Sequence, residues 1–211
     1  MIYRKVKRVL DTLLALIILI VLLPIFLIVA IAVKVSSKGP VLFKQTRVGR
    51  SRRTFTIYKF RTMLTEAPKD CPPYMFDNPD IYITKVGNFL RKSSIDELPQ
   101  VLNVLKGEMS FIGPRPATPK EEELNQLRDV YGVFTVRPGI TGWAQINGRD
   151  EMYIDRKAKL DGEYVQKMSF LFDMKIFFLT IVKVFKREGI MEGKYEGDNA
   201  SVSSQTEKNG K

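Results

Sequence analysis

From Thr12 to Val33 the chain runs through 22 residues without a charge, all apolar except Thr12 and Pro24. As a helix at about 1.5 Å per residue this run is roughly 33 Å long, enough to cross the hydrocarbon core of a bilayer. A cleaved signal peptide fits poorly, because its apolar region is normally shorter and no small-residue cleavage site follows Val33. A plain spanning helix fits by length. A kinked helix that enters and leaves through one leaflet fits two further features. Pro24 lies near the middle, where it removes a backbone donor and bends a helix. Basic residues flank both ends, Arg4, Lys5, Lys7 and Arg8 before the run and Lys34 and Lys38 after it. A spanning helix would put one of these clusters outside, against the positive-inside tendency. Residues 1–38 therefore read as a membrane segment with basic flanks, and hydropathy alone leaves spanning and re-entrant forms both open.

The rest of the 211 residues has room for one ordinary domain, residues 39–195, followed by a small, polar and charged tail at 196–211 that reads as disordered. A formal charge of +11 calls for an anionic partner: nucleic acid, acidic lipid headgroups or phosphorylated substrates. The chain has no histidine and a single cysteine, Cys71. An internal disulfide is excluded, a zinc site is improbable, and a Cys71 nucleophile would lack its usual activating base. With histidine missing, carboxylates are left to carry chemistry near neutral pH. Asp96 and Glu97 stand side by side in Ser93-Ser94-Ile95-Asp96-Glu97-Leu98-Pro99-Gln100.

Local patterns sketch a mixed α/β domain in which helices predominate. Two β-like runs, Val41–Gln45 and Thr54–Phe60, form a hairpin around Gly49-Arg50-Ser51. Its many basic residues suit a solvated face near anionic lipid. Lys59 and Arg61, set among Tyr58, Phe60 and Met63, are better site candidates than Arg52 or Arg53. Residues 66–80, rich in Pro and Asp, read as a loop. The apolar positions Ile95, Leu98, Val101, Leu102 and Leu105 predict a helix over 94–106, stopped by Gly107 and opened by a Ser94-x-x-Glu97 capping box or by Asp96 as cap. A second helix starts at Thr118-Pro119-Lys120-Glu121 and ends at Gly132. A glycine-rich loop system spans Arg137–Arg149, and an amphipathic helix runs over about 170–187.

Carboxylates at a helix start stabilise its dipole, by about 0.3–1 kcal/mol each, and that alone explains Asp96 and Glu97. Their surroundings point to more. Gly113-Pro114-Arg115-Pro116 fixes an arginine on a stiff turn, where its planar fork can grip a phosphate. Arg137 and Arg149 flank Gly139, Gly142 and Gly148, where bare backbone can approach a ligand. Trp143 suits stacking on a base and equally suits a core or a membrane interface. Carboxylates among arginines also suit Mg²⁺, which takes one or two carboxylates plus substrate phosphates. The last helix, with Phe170, Phe172, Phe177, Phe178 and Phe185 beside Lys175, Lys183, Lys186 and Arg187, reads as core-packed or as interfacial, the latter being preferred.

These blocks resemble the small monotopic phosphoglycosyl transferases, which begin lipid-linked glycan assembly in bacteria. The resemblance runs from about Arg4 to Arg187. It is carried by Lys7-Arg8-x-x-Asp11, by Gly39-Pro40-Val41-Leu42-Phe43-Lys44-Gln45-x-Arg47-x-Gly49 and by Tyr58-Lys59-Phe60-Arg61-Thr62-Met63. Asp96 to Gln100, Asn103 to Ser110, Gly113 to Pro116, Arg137 to Arg149 and Ser169-x-x-x-Asp173 complete it. It implies transfer of sugar-1-phosphate from a UDP-sugar to polyprenyl phosphate with release of UMP, by way of a covalent aspartyl intermediate and with Mg²⁺ as cofactor. Asp96 is then the nucleophile and metal ligand, and Glu97 its partner. Lys59, Arg61, Arg91, Arg115, Arg137, Thr141, Gln145, Arg149 and Asp173 are implied substrate-binding residues. The family's re-entrant helix kinks near a serine-proline pair; here the pair is Leu23-Pro24, so the proline matches and the serine does not. The resemblance favours the re-entrant form, on the inner membrane with the catalytic domain facing the cytoplasm. Anionic lipids and other glycan-assembly enzymes are implied partners, and nucleic acid is not. A membrane-tethered basic protein that binds anionic lipid or nucleic acid without catalysis is the rival reading, and it needs neither the carboxylate pair nor the glycine-arginine loops.

Overall fold

The computed structural model describes residues 2–67, 79–148 and 153–186. Cys71, Arg149, Arg187, most of the expected 66–80 loop and the 196–211 tail lie outside the described residues.

The apolar run is broken in two. Helix α1 covers Ile2–Val21 and α2 covers Leu23–Ser36, with a 64° bend at Leu22. Pro24 stands at the second position of α2, and without an N–H it leaves the Ile20 carbonyl no donor one turn on. The bonds around it persist, Leu22 N–H to Ile18 O and Phe26 N–H to Leu22 O, both 2.9 Å. Among the described residues no single helix is long and apolar enough to cross a membrane, whereas the bent pair passes that test jointly.

The hairpin forms as read, with a first strand that reaches three residues further. Strands β1 (Leu42–Val48) and β2 (Thr54–Phe60) pair antiparallel, Leu42 opposite Phe60 and Val48 opposite Thr54. In the connecting turn Ser51 and Arg52 take left-handed backbone, at φ 56° and 58°.

Helix α3 (Lys85–Lys92) is capped by the Thr84 hydroxyl, which accepts from Gly87 N–H at 2.8 Å. The single helix expected over 94–106 is instead a 3₁₀ turn, Ile95–Gln100, running into α4, Val101–Lys106. Pro99 explains the tighter start, since it cannot donate to the carbonyl at Ile95. Nor does the capping box form: Ser94 is left-handed, at φ 56°, and makes no side-chain cap. Gly107 ends α4 in left-handed backbone as expected, at φ 82°.

Beyond it, β3 (Ser110–Ile112) pairs in parallel with β4 (Gly139–Thr141). Helix α5 (Glu122–Val130) lies between them in sequence, and α6 (Trp143–Gly148), α7 (Ile154–Lys167) and α8 (Phe170–Lys186) follow. Gly139 and Gly142 of the 137–149 segment are required by this packing. A Cβ on Gly139 would come within 2.1 Å of Gly113 N, and one on Gly142 within 2.1 Å of Gly113 O. Trp143 is likewise a packing residue: its ring meets Phe172 at 5.0 Å and its indole N–H donates to Glu163 at 2.9 Å.

The bent helix pair forms one wall of the domain core. Ala15 of α1 is fully buried with Ile57, Val101, Val104 and Met109, while Val29 and Val33 of α2 pack on Phe60 and Leu90. Two arginines tie the parts in opposite directions. Arg8 of α1 donates to the Val104 and Leu105 carbonyls that end α4, at 2.5 and 2.9 Å. Arg61, just past β2, donates to the Val33, Ser37 and Lys38 carbonyls at the end of α2. The other faces of α1, α2 and α8 show exposed large apolar side chains, Leu13, Ile17, Ile28, Ile31, Leu171 and Phe178 among them.

Candidate active site

Asp96 and Glu97 stand on consecutive positions of the 3₁₀ turn that leads into α4. The α3 helix sets this turn through Ser94, whose N–H donates to Arg91 O at 3.1 Å and whose left-handed backbone reverses the chain. Asp96 is 8% exposed. Glu97 Oε1 receives Lys59 Nζ at 2.8 Å and both terminal nitrogens of Arg115 at 3.2 Å. Lys59 comes from β2 and Arg115 from the stiff turn after β3, so three distant segments converge on one carboxylate. Burial pushes the Glu97 carboxyl up, but Lys59 and then Arg115 outweigh it and bring it down to about 2. Glu97 is therefore an anion at neutral pH, held in place by two cations.

Asn103 keeps this arrangement in register, and the sequence reading missed it. Fully buried, it donates to Thr56 O and Glu108 Oε2 and accepts from Tyr58 N–H. It thereby pins β2, with Lys59, against α4. The available signal was an amide on an otherwise apolar helix.

The other implied substrate residues have different surroundings. Arg91 donates Nε to the Thr62 hydroxyl at 2.9 Å, on the helix that packs against the 3₁₀ turn. Arg61 is 6% exposed, and its fork is spent on the end of α2. Asp173 is 2% exposed and binds Lys7 Nζ at 2.7 Å and the hydroxyls of Tyr3 and Tyr164, an arrangement that locks α1 to α8. Thr141 shares a hydrogen bond with Thr180, and Gln145 donates to Ile140 O. Arg137 donates Nε to Gly107 O, at the opposite end of α4 from Asp96. The structure thus gathers Asp96, Glu97, Lys59 and Arg115, with Arg91 on the adjoining helix.

Among the described residues no group of three or more Asp, Glu, His or Cys side chains is placed to hold a metal by itself. The adjacent carboxylates still fit Mg²⁺, which asks for one or two of them and completes its shell with phosphate oxygen and water. With Glu97 engaged by two cations, Asp96 is the carboxylate that fits.

The profile of the bacterial sugar transferase family matches residues 2–187, taking in the bent helix pair and the carboxylate site alike. The chain belongs to the bacterial sugar transferase family. The chain is 45% identical to the UDP-glucose:undecaprenyl-phosphate glucose-1-phosphate transferase of Escherichia coli, over 189 residues that cover 86% of the chain and 40% of that protein. It is 42% identical to the uncharacterized sugar transferase EpsL of Bacillus subtilis, over 88% of the chain and 90% of EpsL. A relative in Aeromonas hydrophila is named a UDP-N-acetylgalactosamine-undecaprenyl-phosphate N-acetylgalactosaminephosphotransferase; identity is 40%, over 85% of the chain and 44% of the relative. The sugar transferase thus spans about two fifths of the Escherichia coli and Aeromonas proteins and nearly all of EpsL.

Proposed function

We propose that this sugar transferase moves sugar-1-phosphate from a UDP-sugar to polyprenyl phosphate and releases UMP. The observation that carries the reading is the Glu97 carboxylate, clamped by Lys59 and Arg115 next to Asp96. A carboxylate is already ionised near neutral pH and needs no base to attack phosphorus. An Asp96 oxygen bonds to the β-phosphorus of the donor, and the bond from that phosphorus to the oxygen bridging the α-phosphate breaks. That bridging oxygen leaves with UMP. The sugar phosphate stays on Asp96 until an oxygen of polyprenyl phosphate attacks the same phosphorus and frees the aspartate. Glu97, kept anionic by its two cations, serves in positioning and not as a proton donor. It holds Lys59 and Arg115 beside the reacting centre, where their positive charges attract substrate phosphate. Asp96 would hold Mg²⁺ together with substrate phosphate, and the ion would supply positive charge that offsets the repulsion between carboxylate and phosphates.

The acceptor is lipid-borne, and the bent helix pair supports a re-entrant anchor. Basic flanks at both ends of the run, apolar outer faces and the break near Pro24 all fit a re-entrant helix dipping into one leaflet, with the domain and both flanks in the cytoplasm. The exposed apolar residues of α8 fit contact with the same surface.

The named relatives use different sugars, so the test pairs undecaprenyl phosphate with UDP-glucose and UDP-N-acetylgalactosamine in turn and reads UMP. Sustained release, beyond the single turnover that donor alone allows, is expected to depend on the lipid with at least one donor, and all release is expected to depend on Asp96. A folded, membrane-bound protein that releases no UMP from any UDP-sugar tried, yet holds nucleic acid in a salt-dependent way, would favour the tethered binding protein instead.

A further inference from the structure

We propose that the groove between the β1–β2 turn and the end of α4 is a second anion site, holding the phosphate headgroup of an anionic lipid beside α1. The inference rests on the reading of α1 and α2 as membrane-embedded. The groove encloses about 490 Å³ and is lined by Arg50, Arg53, Phe55, Lys106, Gly107 and Arg137, among others. A narrower recess shares Arg50 and Arg137 with it and adds Arg4, Lys7 and Arg8 of α1.

Charge pairing sets this groove apart from its neighbours. Arg47 and Arg52, from the same hairpin, have carboxylates within reach, Glu121 at 3.9 Å and Asp129 at 2.5 Å. Arg8, Arg50, Arg53 and Arg137 have none at ion-pair distance among the described residues. Glu108, the acid on the rim, already accepts from Asn103 at 2.8 Å. Burial, and then the nearby charges of Arg8 and Arg50, hold Arg137 below the usual arginine range, with Asp11 alone opposing them. The cations here outnumber the two nearby carboxylates, Glu108 and Asp11, and an excess of that sign is relieved by a phosphate, which arginine forks bind in two places.

Place then selects the occupant. Asp96 begins the 3₁₀ turn and Gly107 follows the end of α4, so about 15–20 Å separates the groove from the reacting centre. A donor phosphate at Asp96 does not reach that far. Arg8, in contrast, links the groove to α1, on which the exposed apolar Val9, Leu10 and Leu13 follow at once. That boundary between charge and apolar surface is the level at which lipid headgroups lie.

The test is flotation of full-length protein with vesicles of phosphatidylcholine alone or with added phosphatidylglycerol. Wild type should float with both and bind the anionic vesicles more tightly. Arg50→Ala/Arg53→Ala should lose that preference by roughly fivefold per cation, about twentyfold for the pair. Arg156→Ala/Lys159→Ala, which removes equal charge from α7, should keep it. Equal loss in both double variants, or no loss in the first, overturns the site while leaving the anchor intact. Inorganic phosphate separates the sources: if millimolar phosphate at constant ionic strength erases the wild-type preference, the groove takes free phosphate and the lipid assignment fails. A wild type that does not float even with neutral vesicles sinks the membrane reading itself, and this inference with it.

Discussion

Lys59 reaches across from β2 to place its ammonium 2.8 Å from Glu97, on a turn 38 residues further along the chain. The contact makes the ionisation of Glu97 part of the folding equilibrium. Its carboxyl sits at about 2 in the folded protein against an ordinary 4.5. A depressed carboxylate stabilises the fold fully above about pH 4.5, and that contribution disappears as pH falls towards 2. The shift corresponds to about 3 kcal/mol. Acid unfolding followed by circular dichroism should therefore steepen between pH 4.5 and 2 in wild type. Glu97→Gln should be less stable at pH 7 and should lack that component; an unchanged acid limb would break the assignment.

Asp96→Asn should abolish UMP release even without lipid acceptor, because the first half-reaction fails. Mass spectrometry of wild type incubated with donor alone should place a phosphosugar on Asp96. An adduct on Glu97, or turnover by Asp96→Asn, contradicts the proposed role. Chelation should stop UMP release, and added Mg²⁺ should restore it.

Arg61 holds three carbonyls at the end of α2 and is expected to act on stability, not on donor affinity. Arg61→Ala leaves buried carbonyls without a donor, at a cost of about 1–3 kcal/mol. The unfolding midpoint should drop while KM for the UDP-sugar, measured on the folded fraction, stays within about twofold, a change worth under 0.5 kcal/mol. A large rise in KM with unchanged stability would return Arg61 to the substrate.

Lys7 and Asp173 form a buried ion pair between α1 and α8. Breaking a buried pair from one side leaves a charge without its partner and costs about 3–5 kcal/mol. Lys7→Met and Asp173→Leu should each destabilise strongly, and the double variant should recover part of the loss. Additive losses in a double-mutant cycle would show that the two charges are not coupled.

Topology is open to labelling. With Cys71 removed, cysteines introduced by Lys5→Cys and Lys38→Cys should both be shielded from a membrane-impermeant reagent added outside intact cells. Labelling of the Lys5→Cys protein alone means that the run spans. Pro24→Ala should straighten the helix pair and shift some molecules to that form.

The elements that sequence reading found are those whose signals are local: the hairpin runs, the Gly107 stop, the start signal before α5, the amphipathic pattern of α8, and the proline in the apolar run. Helix α7 escaped because its inward face is partly polar. Asp161 is buried there against Arg128, both side chains at most 2% exposed, and Gly162 lies against Tyr131. A pattern search for apolar periodicity has little to find in such a helix. The carboxylate pair, Lys59 and Arg115 were legible as a chemical set. Arg61 and Arg137 were not separable from them, because an arginine fork satisfies backbone carbonyls as readily as phosphate. Only the fold decides which of these the side chain meets.

The two arginine grips, with Ala15, Val29 and Val33 inside the core, mean that the N-terminal hairpin is no removable tether. Trimming it would strip a wall from the domain, bare Ile57, Val104, Met109, Phe60 and Leu90, leave the end of α4 without its Arg8 donor, and leave the Arg61 fork without its carbonyl acceptors. Grafting a foreign anchor in its place would fail for the same reason. During synthesis, the domain cannot finish its core until the bent helix pair is seated, so placing that pair becomes a step in assembling the candidate site.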